Sequence, residues 1–186
     1  GAFAPVDDVK QENVDFVVEH ILERAAKGMM AENRAFVGIL YAGCMMTENG
    51  PKTIEFNTRF GDPEAQVVLP LLKNDLIQVF IDVLAGKDPQ LVWDDASCLG
   101  VVVASKGYPE TYEKGSALPS LPEGKNPYVI HAGTKMENGH LVSNGGRVLL
   151  VGAVEKTKET AAEKVYKALE SFEDSNDFFY RRDIGK

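Results

Sequence analysis

Hydrophobic spacing changes several times along this chain, and each change marks an element. Between about residues 9 and 31, Val14, Phe16, Val17, Val18, Ile21, Leu22, Ala25 and Ala26 form a broad apolar stripe, with Gly28 near its end. That spacing predicts an amphipathic helix. Residues 36–46 are nearly continuous in apolar character and read as a buried strand. Glu48-Asn49-Gly50-Pro51 reads as a turn, and residues 52–60 as a second strand, so the two predict a hairpin. Helices follow over 65–72 and 75–85. The valine-rich run 99–105 predicts a central strand, and the Gly-, Pro- and Ser-rich stretch 107–127 a long loop. Strands are expected over 128–134, 139–142 and 147–154, and a helix over 157–171 with Thr157 as its N-cap. The order of elements predicts an α/β (α+β) chain in two pieces, residues 1–94 and 95–186, with a boundary near Trp93-Asp94-Asp95. There is no internal repeat.

Within the predicted hairpin, one strand carries chemistry. Successive side chains on a strand point to opposite faces. Ile54, Phe56 and Phe60 therefore fall on one side, and Thr53, Glu55, Asn57 and Arg59 on the other. Glu55 and Asn57 offer hard oxygen donors that suit Mg²⁺ shared with nucleotide phosphates. Arg59 offers a planar fork for phosphate or carboxylate oxygens. Asp62 and Glu64 follow on the next turn. The set suits phosphoryl transfer, in which catalysis is mostly positioning and charge stabilisation. The same alternation also fits a half-solvated strand whose Glu and Arg form an ion pair. Asp62-Pro63-Glu64 also fits acidic capping of the helix that follows. Gly145-Gly146-Arg147 opens a strand and fits either a plain hairpin turn or a close backbone approach beside an anion-binding arginine.

Composition narrows the partners. The chain has 186 residues and a net charge of −8, which disfavours a nucleic-acid backbone as partner while leaving a local phosphate site possible. Its two cysteines, Cys44 and Cys98, lie far apart, so neither a disulfide framework nor a zinc site is expected. Cys44, in an apolar run, reads as a buried thiol. No signal-peptide pattern occurs and no apolar run approaches about eighteen residues, so the expectation is a cytoplasmic protein without a membrane partner.

The runs Gly38-Ile39-Leu40-Tyr41-Ala42-Gly43, Asn49-Gly50-Pro51-Lys52, Ile54-Glu55-Phe56-Asn57, Gly61-Asp62-Pro63-Glu64 and Gln66-Val67-Val68-Leu69-Pro70-Leu71-Leu72 resemble the glycinamide ribonucleotide synthetase (phosphoribosylamine–glycine ligase) family of ATP-grasp enzymes. The likeness extends to Gly1-Ala2-Phe3-Ala4-Pro5, Ala104-Ser105-Lys106-Gly107-Tyr108-Pro109, His131-Ala132-Gly133-Thr134, Gly145-Gly146-Arg147-Val148-Leu149 and Tyr180-Arg181-Arg182-Asp183-Ile184-Gly185. It thus covers essentially the whole chain.

The resemblance implies the carboxy-terminal lobe of an ATP-grasp core followed by a small mixed-sheet domain. It also implies a fragment that lacks an amino-terminal half and is inactive alone. The implied reaction joins glycine to 5-phosphoribosylamine at the expense of ATP in purine biosynthesis, through a glycyl-phosphate intermediate. It implies Glu55 and Asn57 as ligands of Mg²⁺ (or Mn²⁺), Arg59 as the catalytic charge stabiliser, and Asp62, Glu64, Gly145, Gly146 and Arg147 as substrate-binding residues. Many ATP-grasp enzymes place a further acidic ligand on the neighbouring strand, where this chain carries Cys44-Met45-Met46. Nucleotide oxygens and water would then complete the metal shell. A related ATP-grasp enzyme such as a carboxylase, or a non-catalytic interaction module, are the competing expectations.

Overall fold

The computed structural model describes residues 1–186. They form two compact units, one of residues 1–5, 62–72 and 94–186, the other of residues 6–61 and 73–93. The chain crosses between units after Pro5, Gly61, Leu72 and Trp93. The last crossing falls beside the expected boundary at Trp93-Asp94-Asp95. The other three make the units interleaved in sequence rather than consecutive. Strand pairing explains one of the early returns: β1 (Ala2–Ala4) adds to the edge of β4 (Ser97–Ser105), with Phe3 opposite Leu99.

In the first unit, β4 is the centre of an antiparallel sheet. On one side it pairs with β8 (Arg147–Glu155), which in turn pairs with β5 (Tyr128–His131). Its other edge carries β1 and the short β9 (Phe178–Phe179). Both faces of β4 are covered, which is why its sequence is a continuous apolar run rather than an alternation. Leu99, Val101 and Val103 join the core formed with Ala161 and Val165 of α5 (Lys158–Ala168) and with Leu169 just beyond its end. Cys98 instead packs with Val67 and Leu71. Those two residues come from α3 (Ala65–Val68) and the 3₁₀ turn Leu69–Leu71 behind it. The single helix expected over 65–72 changes to this tighter form around Pro70, whose ring and missing N–H disfavour an α-helical interior. Thr157 caps α5 as expected, its hydroxyl accepting from the Thr160 amide.

The strand expected over 128–134 stops at His131. The amides of Ala132 and Gly133 both donate to the Val148 carbonyl, which turns the chain off the sheet. It continues as a separate hairpin of β6 (Thr134–Glu137) and β7 (His140–Ser143). Asn138 and Gly139 sit at its tip with φ of 49° and 81°, the paired positive values that a tight two-residue hairpin turn needs.

The second unit holds a long helix and a hairpin. α1 (Gln11–Phe16) passes through a π-helical stretch (Val17–Leu22) into α2 (Glu23–Ala31). The hairpin is β2 (Tyr41–Thr47) and β3 (Gly50–Asn57). β2 thus begins five residues later than the apolar run suggested. α4 (Leu76–Leu84) is N-capped by Asp75, whose carboxylate accepts from the amides of Ile77 and Gln78. Cys44, expected to be buried, is only half-buried; Cys98 is the buried thiol. No helix is long and apolar enough to cross a membrane.

Candidate functional site

The candidate residues fall in both units. Glu55, Asn57 and Arg59 lie in the second; Asp62, Glu64, Gly145, Gly146 and Arg147 lie in the first.

β3 places Glu55 and Asn57 two residues apart, and the period of the strand puts them on one face. They touch: Asn57 Nδ2 donates to Glu55 Oε1 at 2.9 Å. That bond leaves the Asn57 carbonyl oxygen as a ligand atom beside a carboxylate. Opposite them stand Tyr41 and Gly43 of β2, and Gly43 is closely approached by the Glu55 side chain. Nowhere among the described residues do three His, Cys, Asp or Glu side chains converge as a metal cage. The pair therefore fits Mg²⁺, which keeps several waters and takes one or two protein oxygens plus substrate phosphates. It does not fit a cation that demands a full protein shell.

Arg59 lies beyond the end of β3, not on its polar face. Strand geometry ends at Asn57, and the Arg59 guanidinium donates through Nη1 to the Phe60 carbonyl at 2.7 Å. Arg59 is therefore held by its own turn, and Glu55 takes its hydrogen bond from Asn57.

Asp62 and Arg147 are 85 positions apart in sequence and meet in space. Arg147 Nη1 donates to the Asp62 carbonyl at 2.9 Å, and Nη2 lies 3.0 Å from Asp62 Oδ2. The other carboxylate oxygen, Oδ1, accepts from Gln66 Nε2 at 2.8 Å. Helix capping by Asp62 is thus replaced by side-chain contacts; Glu64 occupies the N-cap position of α3 and makes no side-chain cap bond. Gln66, absent from the sequence-derived set, belongs with Asp62. Its signal was the four-residue spacing, which brings side chains together on a helical turn.

Gly145 and Gly146 do allow close approach, and the approaching groups are protein. A Cβ on Gly146 would lie 2.2 Å from a ring carbon of Tyr108, and one on Gly133 would lie 2.7 Å from both the Gly145 Cα and the Arg147 carbonyl. Ser105 fastens the same segment: its amide donates to the Gly146 carbonyl at 2.8 Å and its hydroxyl to the Gly145 carbonyl at 2.9 Å. The Tyr180–Gly185 segment also turns inward on itself. Arg181 Nε and Nη2 grip both Asp183 oxygens, at 2.7 and 2.5 Å, and hold that carboxyl at a pKa of about 2. Tyr166 of α5 donates to the Ile184 carbonyl at 3.0 Å and so pins the segment to the helix.

Residues 1–65 match the family model "Phosphoribosylglycinamide synthetase, ATP-grasp (A) domain", and residues 98–186 match "Phosphoribosylglycinamide synthetase, C domain". The whole chain is 50% identical to a phosphoribosylamine–glycine ligase of Halalkalibacterium halodurans and 48% identical to one of Lactococcus lactis. It spans 43% and 45% of those relatives, under half their length. A crystal structure of the Thermotoga maritima phosphoribosylamine–glycine ligase superposes with a TM-score of 0.82 at 32% identity, over 98% of this chain and 45% of that one. The biotin carboxylase domain of a thermophilic 2-oxoglutarate carboxylase superposes with a TM-score of 0.65 at 19% identity, over 96% of this chain and 40% of that one, a likeness of fold alone. Matched from its first residue to its last by ligases of one kind, the chain belongs to the phosphoribosylglycinamide synthetase family of ATP-grasp ligases.

Proposed function

We propose that this chain forms part of an enzyme that joins glycine to 5-phosphoribosylamine with ATP. In this reading a glycine carboxylate oxygen attacks the γ-phosphorus of ATP and ADP leaves. The amine of phosphoribosylamine then attacks the glycyl carbonyl carbon, phosphate leaves, and the nitrogen gives up a proton. Glu55 and Asn57 would hold Mg²⁺ (or Mn²⁺), and that ion, when bound, neutralises charge on the phosphate oxygens. Arg59 presents its remaining N–H groups to the transferring phosphoryl group, with one terminal nitrogen anchored on Phe60. Asp62 and Glu64 receive the ammonium group of the amino-acid substrate. Gly145 and Gly146 shape the segment that carries Arg147, since protein groups occupy the space a side chain would need there.

One observation carries the reading: Asn57 Nδ2 donates to Glu55 Oε1 at 2.9 Å, which sets a carboxylate and an amide oxygen side by side on β3. Family membership supports this reaction, and the pair offers atoms suited to its chemistry. The two competing readings lack such support, since the carboxylase likeness is one of fold and a non-catalytic module needs no paired ligands.

The test is Glu55→Gln in the full-length protein, measured as glycine-dependent phosphate release over a range of Mg²⁺. Glu55 is exposed, so the fold should survive. The expected result is a loss of about 100-fold or more in turnover, since even groups one shell further out cost 10–100-fold, together with a higher Mg²⁺ requirement. Turnover close to normal at ordinary Mg²⁺ would overturn the assignment.

A further inference from the structure

We propose that Arg147 is a positioning residue that acts through Asp62 and is not itself a receptor for a substrate anion. The inference rests on the reading of Asp62 as an amine-binding carboxylate, and it gives Arg147 a different task from the anion contact that its place after two glycines suggests.

Both terminal nitrogens of Arg147 are committed to one residue. Nη1 holds the Asp62 backbone through its carbonyl at 2.9 Å, while Nη2 holds the side chain through Oδ2 at 3.0 Å. Gripping backbone and carboxylate together fixes the side-chain torsion between them, which neither contact does alone. Gln66 takes the opposite oxygen at 2.8 Å. A carboxylate has about four acceptor sites, so each Asp62 oxygen keeps capacity for an incoming ammonium after these contacts are made. An incoming phosphate or carboxylate meets a different situation. The guanidinium charge is already matched, and the Asp62 carboxylate in contact with the fork repels a second anion.

The base of Arg147 is built to hold that aim. Its segment is packed between the Gly133 backbone on one side and the two Ser105 hydrogen bonds on the other, with the Tyr108 ring over Gly146. A rigid base and a planar fork orient a partner with little loss of rotamer freedom, which a lysine's single ammonium cannot imitate. On the other side Asp62 leads into α3, whose Val67 is buried against Cys98. The carboxylate is therefore fixed between two anchored elements of the same unit.

The experiment is a double-mutant cycle on the full-length enzyme, with Arg147→Gln, Asp62→Asn and the double variant, and Arg147→Lys beside them. Glycine, phosphoribosylamine and ATP are each varied. Arg147→Gln should raise the glycine KM about tenfold or more, the size of one charge-assisted hydrogen bond, and leave the ATP KM unchanged. Arg147→Lys should recover little of the loss, and the double variant should be no worse than Asp62→Asn alone. Losses that multiply, or a rise in the phosphoribosylamine KM in place of the glycine KM, would overturn the proposal and make Arg147 a direct substrate contact.

If Arg147→Gln does not fold, Gln66→Leu removes the other hold while sparing the ion pair. It too should raise the glycine KM, and an unchanged value would count against the proposal. A wild-type enzyme without glycine-dependent turnover would overturn the ligase reading instead. The Arg147–Asp62 coupling would then be read from thermal melts of the same four proteins, and additive shifts there would overturn it.

Discussion

Two arginines followed glycine or strand signals in the sequence, and their surroundings give them different work. Arg147 has both terminal nitrogens on Asp62. Arg59 has one on the carbonyl of its neighbour Phe60 and lies on the exposed surface. Strand alternation correctly joined Glu55 to Asn57 because a period of two holds as long as the strand does. It failed for Arg59, two residues further on, because β3 ends at Asn57. No local pattern could join Asp62 to Arg147, since that contact depends on how α3 and β8 are packed. If Arg59 stabilises charge that develops during phosphoryl transfer, Arg59→Lys should not restore function, because a point charge does not replace a two-pronged donor. The expected loss in the full-length protein is about 10²-fold or more in kcat, the effect of removing one preorganised donor. Its thermal stability should move by no more than about 0.5 kcal/mol, as for other exposed positions. A variant with normal kcat and a clearly lowered melting temperature would make Arg59 a structural residue of the turn.

At the level of elements, the sequence was most legible where one element carries its own period and its own cap. The helix after Thr157 and the valine-rich β4 both came out close to their expected bounds. Short elements completed by partners elsewhere were not legible. β1 and β9 are three and two residues long and exist because β4 has an open edge for them. The joint between β8 and α5 has a charge component that can be measured. Glu155 at the end of β8 pairs with Lys164 of α5, and also accepts from Asn126 at 3.1 Å. The hydrogen bond from Lys164 is the main cause that holds the Glu155 carboxyl below its usual range. A lowered carboxylate pKa means that the unfolded chain takes up its proton first as pH falls. The stabilisation is thus complete above the unfolded value of about 4.3 and fades as pH drops through the lower folded value. Glu155→Gln should therefore flatten the acid side of the melting temperature against pH, with the difference from wild type largest near neutrality and shrinking below about pH 4. Because the pair is only half-buried and stays in reach of solvent, the effect should be small and should weaken in salt. Parallel curves for the two proteins would show that the pair contributes nothing to the joint.

Across the whole molecule, apolar burial is distributed unevenly. Every buried hydrophobic side chain of the core, from Val67 and Leu71 through Leu99, Val151 and Val165 to Phe178, belongs to the first unit. The second unit has the helical periodicity of a packed structure but leaves its stripes open. On α4, Ile77, Phe80, Ile81 and Leu84 recur at helical spacing and are 70%, 40%, 53% and 74% exposed. On β3, Ile54 and Phe56 are 65% and 46% exposed. Hydrophobic pattern therefore predicted the elements of this unit correctly and overestimated their burial, because a pattern says which face seeks cover and not whether cover is at hand. The energetic consequence follows from area. Fully burying a Val, Leu, Ile or Phe side chain is worth about 1.5–3 kcal/mol, and the second unit forgoes most of that gain while still bearing the entropy of ordered backbone. Its hydrogen bonds should open through local fluctuations of low free energy, whereas β4, β8 and α5 should open only with the global unfolding of their core. Amide hydrogen exchange followed by mass spectrometry on this chain checks the contrast directly. Peptides covering 97–105, 147–155 and 158–168 should stay protected for the longest times, while those covering 11–31, 41–57 and 76–84 should exchange orders of magnitude faster. Equal protection in both sets would mean that the second unit gains stability from something other than buried apolar area.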